Sequence, residues 1–289
     1  MRVLVTGATG FVGAHLVAHL AKRGHRCVAF GRRVTPASEG IIPFQGDVLD
    51  RQALRKATED CEAVVHLVGI IREFPSQGVT FERLHVEATA NVVEVCKEQG
   101  ISLLVHMSAL GASHHSKARY HQTKYAAEEL VKRSGVRFVI FRPSLIIGPG
   151  SAFVMDMRRM LSLPITGVLS ADYRLQPVAI DDVVRAFAAS LEDPLALRGE
   201  TWELCGPQVF TLRELLETMA AVWGKRPRFF PVPPAAMRLA AALLDRFSWF
   251  PVTREQLTML KEGSTCQQGG VFKLLGMEPT PVTRVLALC

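Results

Sequence analysis

The sequence contains no low-complexity tract. With 48% hydrophobic and 21% charged residues it has the composition of a packed globular chain, which excludes disorder over most of its length. It also lacks an apolar run of the roughly 18 to 20 residues that span a bilayer. The nearest candidate, Ala235 to Leu244, is short and broken by Arg238, so a transmembrane helix is not expected. The six cysteines, Cys27, Cys61, Cys96, Cys205, Cys266 and Cys289, include no CxxC pair and no histidine at zinc spacing. All six are expected to be free thiols in a reducing compartment. His114, His115 and His121 have no carboxylate or thiolate at fixed spacing, and no metal is expected. No charged segment followed by a long apolar stretch opens the chain; a cytoplasmic location is expected, with peripheral membrane contact as a variant. The net charge of +7 suits an anionic cofactor or an acidic membrane or protein surface. No aromatic-plus-basic ribonucleoprotein motif is present, and a nucleic-acid partner is not expected.

The 289 residues allow one large domain or a large domain with a smaller lobe. Up to about residue 145, short apolar β-branched runs alternate with helix-period segments, the pattern of a parallel sheet with crossover helices. Strands are expected at Val3–Val5, Arg26–Phe30, Ala63–Val68, Leu103–Met107 and Phe138–Phe141, and helices at about 11–23, 50–58, 80–99 and 117–134. Beyond Arg142-Pro143, prolines and glycines punctuate the chain. A dinucleotide-binding domain over 1–145, to which 176–203 returns, and a smaller lobe of 146–175 and 204–289 are expected.

Thr6-Gly7-Ala8-Thr9-Gly10-Phe11-Val12-Gly13 follows the first strand directly and opens an amphipathic helix. Glycines there permit a tight turn and close approach of backbone N–H groups to a pyrophosphate, which also meets the positive end of the helix dipole. A bare three-glycine match is weak; its place in the first strand-turn-helix makes it informative. Near the end of the second strand, where an acidic residue would meet the 2′-hydroxyl of NAD, stand Gly31-Arg32-Arg33. Two guanidiniums suit a 2′-phosphate, so NADP(H) is expected in preference to NAD(H), which stays possible.

Between Ala118 and Ser134 the helix carries a charged arc of Glu128, Glu129, Lys132 and Arg133 opposite a stripe of Tyr120, Lys124, Ala127 and Val131. A lysine aimed inward beside a tyrosine is costly without a role. A phenol of ordinary pKa near 10 needs a positive neighbour to exchange protons at neutral pH, and Lys124 offers one. The alternative is a packed tyrosine and a lysine that reaches out to solvent.

Together the glycine turn, Asp47-Val48, Tyr120-x-x-x-Lys124 and Arg142-Pro143 resemble the extended and atypical short-chain dehydrogenase/reductases, the group of NAD-dependent epimerases and dehydratases. His106-Met107-Ser108-Ala109, Arg142-Pro143-Ser144, Gln176-Pro177-Val178-x-x-Asp181-Asp182 and Glu203-Leu204-Cys205-Gly206-Pro207 are similar to the branch containing the nucleotide-binding accessory subunit of respiratory complex I and its bacterial relatives. The resemblance implies a Rossmann-type, doubly wound α/β sheet with a smaller C-terminal substrate lobe. It implies that Gly7, Thr9, Gly10, Phe11, Val12 and Gly13 meet the pyrophosphate and Arg32 and Arg33 the 2′-phosphate. Asp47 and Val48 would meet the adenine, and Leu67, Val68, Gly69 and Pro143 the nicotinamide side. Tyr120 would be the acid/base, Lys124 its electrostatic and ribose-binding partner, and Ser108 the substrate-polarising residue. His85 stands near the place where relatives carry an asparagine. An oxidoreductase, epimerase or dehydratase with a small-molecule substrate is expected. The alternative is a non-catalytic NADPH-binding accessory subunit, with respiratory-complex or membrane contact through the C-terminal lobe, notably Pro233–Leu244 with Arg246, Trp249 and Phe250. A homo-oligomer is compatible with either.

Overall fold

The computed structural model describes all residues except 35, 194–196, 198, 246–251, 268 and 269. Of the C-terminal segment singled out above, Arg246, Trp249 and Phe250 lie outside the described residues. The chain forms two compact units, Met1–Arg142 with Val183–Glu203, and Pro143–Asp182 with Leu204–Cys289.

The first unit is built on a seven-stranded sheet. Its strands are β1 (Arg2–Thr6), β2 (Arg26–Gly31), β3 (Ile41–Gln45), β4 (Ala63–His66), β5 (Leu103–Met107), β6 (Phe138–Pro143) and β7 (Glu200–Leu204), in the order β7-β6-β5-β4-β1-β2-β3. From β3 through β6 every neighbouring pair is parallel. β1, β4 and β5 are buried almost throughout, as strands covered on both faces must be. Leu4, Val28, Val64, Leu104 and Ile140 join Leu54, Val92, Val93 and Val131 from the helices in one core. The helices are α1 (Phe11–Lys22), α2 (Arg51–Thr58), α3 (Ala88–Glu98) and α4 (Arg119–Lys132). Gly100, at φ +64°, ends α3 in the left-handed conformation that glycine adopts without strain. The chain order reverses at β1, which lies between β2 and β4. The C-terminal end of β1 therefore opens at a switch point, where such sheets form a crevice.

Two strands escape the periodicity argument. β3 is only half-buried and contains Pro43, and β7 is half-buried at the other edge, so neither shows the continuous apolar run of a central strand. Val178–Ala179 forms a two-stranded ladder with Ile146–Ile147 instead of entering the large sheet. The return to the first unit thus begins at Val183, later than the 176 expected from the sequence.

The second unit has its own core, including Ile147, Val154, Leu161, Leu215, Met219 and Leu286. It also overturns the expectation of six free thiols, because Cys205 and Cys266, 61 positions apart, form a disulfide. The side chain of Gln176 joins their two segments: its Nε2 donates to the Gly206 carbonyl at 2.8 Å, and its Oε1 accepts from the Cys266 N–H at 3.0 Å. Nothing in the linear spacing of the cysteines carries this proximity. Cys27, Cys61, Cys96 and Cys289 are free, and burial raises all four thiols, Cys27 to about 11 and Cys96 to about 12.

A crosslink closing a loop of this size restricts the unfolded chain. Cys205→Ser is expected to lower unfolding stability by about 2–4 kcal/mol, read as a fall in the urea midpoint against oxidised wild type. Coincident midpoints would count against the disulfide.

Candidate functional site

The glycine turn joins β1 to α1. Gly7 is left-handed at φ +71°, and a Cβ on it would lie 3.3 Å from the Val68 nitrogen, so only glycine lets the turn pass the end of β4. A Cβ at Gly13 would lie 2.2 Å from the Gly7 carbonyl oxygen, closer than any side chain can sit. Gly10 is the N-cap of α1, with no side-chain cap and no acidic residue in the first turn. The helix thus presents backbone N–H groups without a side chain of its own to satisfy them, an arrangement suited to an anion.

The other predicted cofactor residues fall on either side of this turn. Arg32 and Arg33 are exposed beyond β2. Arg32 accepts from Gln45 through its carbonyl, and neither guanidinium makes an ion pair among the described residues. Asp47 accepts from the Leu49 N–H at 3.0 Å. Val48 and Val12 are both buried to 7% exposure, which leaves their backbones, not their side chains, to meet a ligand. Phe11 is half-buried, edge-on to His15. Leu67 is buried, its N–H donating to the Thr6 carbonyl, while Gly69 is exposed. Pro143 ends β6.

Tyr120 and Lys124 are both buried on the inner side of α4, with Ala127 and Val131. The Tyr120 ring meets Phe81, His85 and His121 edge-on at 5.8, 5.4 and 5.4 Å between centroids, and burial pushes its phenol up to about 12. Lys124 is 2% exposed and donates to the Met107 carbonyl at 2.8 Å. Burial pulls its ammonium down to about 8, against the opposing pull of Glu128. A Cβ at Gly69 would stand 3.1 Å from the Lys124 Nζ; a larger residue there would press on the ammonium.

Three buried histidines, whose role the sequence reading does not foresee, surround this lysine. His66 and His106 are register partners on β4 and β5, with rings stacked at 5.4 Å. The Nδ1 of His66 lies 2.7 Å from the Thr6 hydroxyl, and its Nε2 and both ring nitrogens of His106 find no hydrogen-bond partner among the described residues. Burial, then the charge of Lys124, drives His66 down to about 3, His85 to about 2, and His106 well below the usual imidazole range. All three stay neutral beside the ammonium. The signal that could have found two of them is register: aligning the ends of the central strands places His66 beside His106.

Two expectations need correction. Glu128 is not part of an exposed charged arc. It is 0% exposed and takes a two-pronged ion pair from Arg142 at 2.7 and 2.6 Å, because the guanidinium at the end of β6 draws the carboxylate inward. Ser108 donates its hydroxyl proton to Glu128 at 2.5 Å. A serine committed to a buried carboxylate does not have that proton to offer a substrate oxygen.

The parallel sheet with its switch point, glycine turn and buried tyrosine–lysine pair defines a Rossmann-type fold. The sequence profile of the NAD dependent epimerase/dehydratase family matches residues 3–205, and the chain belongs to that family. It is 32% identical over 255 residues to the mitochondrial NADH dehydrogenase [ubiquinone] 1 alpha subcomplex subunit 9 of Arabidopsis thaliana, covering 82% of this chain and 62% of that one. The chain thus spans under two thirds of that relative's length. It is 27% identical over 256 residues to a ceramide reductase of Caulobacter vibrioides, covering 85% of this chain and 78% of the relative. A nucleoside-diphosphate-sugar epimerase from Staphylococcus aureus shares the fold, with a TM-score of 0.79 and 17% identity over 99% of this chain and 100% of that one.

Three consequences are measurable. Gly13→Ala would overpack the turn and is expected to cost about 1–3 kcal/mol, seen as a lowered thermal midpoint; an unchanged midpoint would contradict the close approach. Arg142→Met takes the two-pronged partner from a buried carboxylate and leaves it Ser108 and a longer contact with Lys132 at 3.4 Å, and is expected to cost about 3 kcal/mol, measured by urea unfolding. His66, His85 and His106 bind protons more weakly folded than unfolded, so the unfolded state takes up more protons as pH falls below about 6.5. Stability is therefore expected to fall with acidification by up to about 4 kcal/mol per pH unit from the three together. A flat stability profile between pH 6.5 and 5 would show that the histidines are not held neutral.

Proposed function

We propose that the first unit binds NADP(H) over Gly7, Gly10 and Gly13 and reduces a carbonyl, with Tyr120 donating the proton. The observation that carries this reading is the buried Tyr120–Lys124 pair on one face of α4, with Lys124 against Gly69. The residues suit the cofactor. The uncapped N-terminus of α1 and the close-packed glycines leave a cradle for pyrophosphate, and Arg32 and Arg33 provide donors for a 2′-phosphate. Bound there, the nicotinamide would supply a hydride to the substrate carbon. A phenol held near 12 keeps its proton at neutral pH, so its chemistry is donation to a developing alkoxide, the reductive direction. Lys124, one turn further along the buried face of α4, is the cation assigned to stabilise the tyrosinate, which offsets part of the cost of burying the ammonium. With Ser108 turned to Glu128, Tyr120 carries the polarisation of the substrate oxygen alone. The Caulobacter relative is named a ceramide reductase, which makes long-chain carbonyl compounds the first substrates to try.

A second reading has its own support. The Arabidopsis relative is named as a subunit of NADH dehydrogenase, and the Ser108 commitment weakens turnover. In the helix Pro234–Leu244, Leu239 and Leu243 are 66% and 64% exposed beside exposed Arg238, a face suited to an assembly partner or an acidic membrane surface. On this reading the chain is an accessory subunit that holds NADPH without turning it over. No helix among the described residues is long and apolar enough to cross a membrane.

Parallel titrations with NADPH and NADH, together with the Arg32→Ala/Arg33→Ala double variant, test the cofactor. NADPH is expected to bind at least about tenfold tighter, and the double variant to lose the preference; equal affinities would remove the 2′-phosphate reading. Tyr120→Phe is expected to lower carbonyl reduction by about 10²–10⁴-fold with NADPH affinity unchanged. NADPH that co-purifies and is oxidised by no carbonyl would favour the accessory subunit instead.

A further inference from the structure

His85 lies in the helical segment that leads into α3, where Glu82–Glu87 form a π-helical turn. Such a turn carries one extra residue and interrupts the regular ladder, and it recurs at functional positions. Here it delivers a 1%-exposed imidazole to a junction of three elements. The His85 Nδ1 is 2.9 Å from the Thr123 hydroxyl on α4. Its Nε2 is 3.1 Å from both the N–H and the carbonyl of Ile70, in the loop after β4. The ring stacks on Phe81 at 5.2 Å and takes the edge of Tyr120 at 5.4 Å. The position of an added Cβ on Gly69 is 3.5 Å from this Nε2 and 3.1 Å from the Lys124 Nζ. The imidazole and the ammonium thus border the same space beside the Gly69 Cα.

Counting donors decides the proton's place. The Thr123 hydroxyl lies 2.9 and 3.0 Å from the carbonyls of Arg119 and Tyr120, and it has one hydrogen to give. If that hydrogen goes to the helix, Nδ1–H of His85 donates to the Thr123 oxygen and Nε2 accepts the Ile70 N–H, so all three donors are used. The opposite tautomer spends the Thr123 hydrogen on Nδ1, donates Nε2–H to the Ile70 carbonyl, and leaves the Ile70 N–H without this partner. A part-buried N–H left unmade is the costlier omission, because a carbonyl has a second lone pair and is more easily left short.

We infer that His85, protonated on Nδ1, is a positioning residue that ties the Gly69–Ile70 loop to Tyr120 and Lys124 and so shapes the nicotinamide half of the cofactor site. The inference rests on the cofactor reading given above. It separates two halves of that site. The glycine turn and the arginines hold the phosphates and adenosine without His85, while the nicotinamide side depends on it. Among the described residues His85 makes no hydrogen bond to the phosphate cradle or the arginines; its hydrogen bonds run to Ile70 and Thr123, and its ring packs on Phe81 and Tyr120.

The test compares binding of NADPH with binding of 2′,5′-ADP, which carries the adenosine and the 2′-phosphate but no nicotinamide, to the full-length protein by calorimetry. His85→Phe keeps the aromatic stack and deletes both hydrogen bonds; it is expected to weaken NADPH by about tenfold and 2′,5′-ADP by less than about twofold. Thr123→Val removes the Nδ1 partner together with the hydroxyl's own bond to the α4 carbonyls, and it supports the inference if it weakens NADPH selectively too and if the double variant is no worse than His85→Phe. In wild type, ¹⁵N resonances of His85 are expected to report the Nδ1–H tautomer. Equal losses for both nucleotides would make His85 merely structural, and unchanged NADPH affinity would remove its role; an Nε2–H tautomer would overturn the chain of hydrogen bonds. Failure of wild type to bind either nucleotide sinks the cofactor reading itself and this inference with it.

Discussion

A buried ammonium is the constraint on which the first unit depends. Lys124 is 2% exposed, and an unpaired charge taken so far from water is tolerated only where its surroundings are polar, oriented and free of further positive charge. Each neighbour meets one of these conditions. The Met107 carbonyl at the end of β5 accepts its hydrogen bond, and Glu128, one turn along α4, contributes attraction across the helix. Gly69 leaves room for the Nζ. The imidazoles of His66, His85 and His106 supply polar rings that burial first, and then the lysine's own charge, keep neutral. Replace any of these by a cation or a bulky apolar side chain and the ammonium must deprotonate or move.

The same residues join fold to site. His66 and His106 are the last or next-to-last residues of adjacent central strands, so the parallel register that assembles the sheet also sets the floor beneath Lys124. Thr6, the register partner of His66 on β1, extends this row to the glycine turn. The ion pair of Glu128 with Arg142 then fixes α4 to β6 from the other side, and it draws Ser108 with it. A site that looks like a tyrosine and a lysine in one dimension is a row of strand ends in three.

How much of this was legible depends on the range over which each signal acts. The buried central strands, the strand-turn-helix at Gly7–Gly13 and the inward stripe of Tyr120, Lys124, Ala127 and Val131 are local patterns, and periodicity reveals them. Edge strands β3 and β7 are half-buried and carry little pattern. Glu128 sits on α4 at a position that wheel arithmetic assigns to the charged arc; only Arg142, brought alongside by the sheet, turns it inward. The meeting of Cys205 with Cys266 depends on strand pairing and on Gln176, none of which the spacing of cysteines contains. The π-helical turn at Glu82–Glu87 lies inside a predicted continuous helix, because a single extra residue barely disturbs an apolar period.

If Lys124 has the role of a tyrosinate partner, its charge must reach the Tyr120 hydroxyl once a positively charged nicotinamide is bound. The most direct measurement is the ultraviolet titration of tyrosinate with and without NADP⁺, with Tyr120→Phe as the blank and Lys124→Met as the comparison. In wild type, NADP⁺ is expected to bring the Tyr120 ionisation down from about 12 by at least about one pH unit, and by clearly less in Lys124→Met. An ionisation that stays where it is when NADP⁺ binds, or that moves equally without the lysine, would contradict the pairing of these two residues.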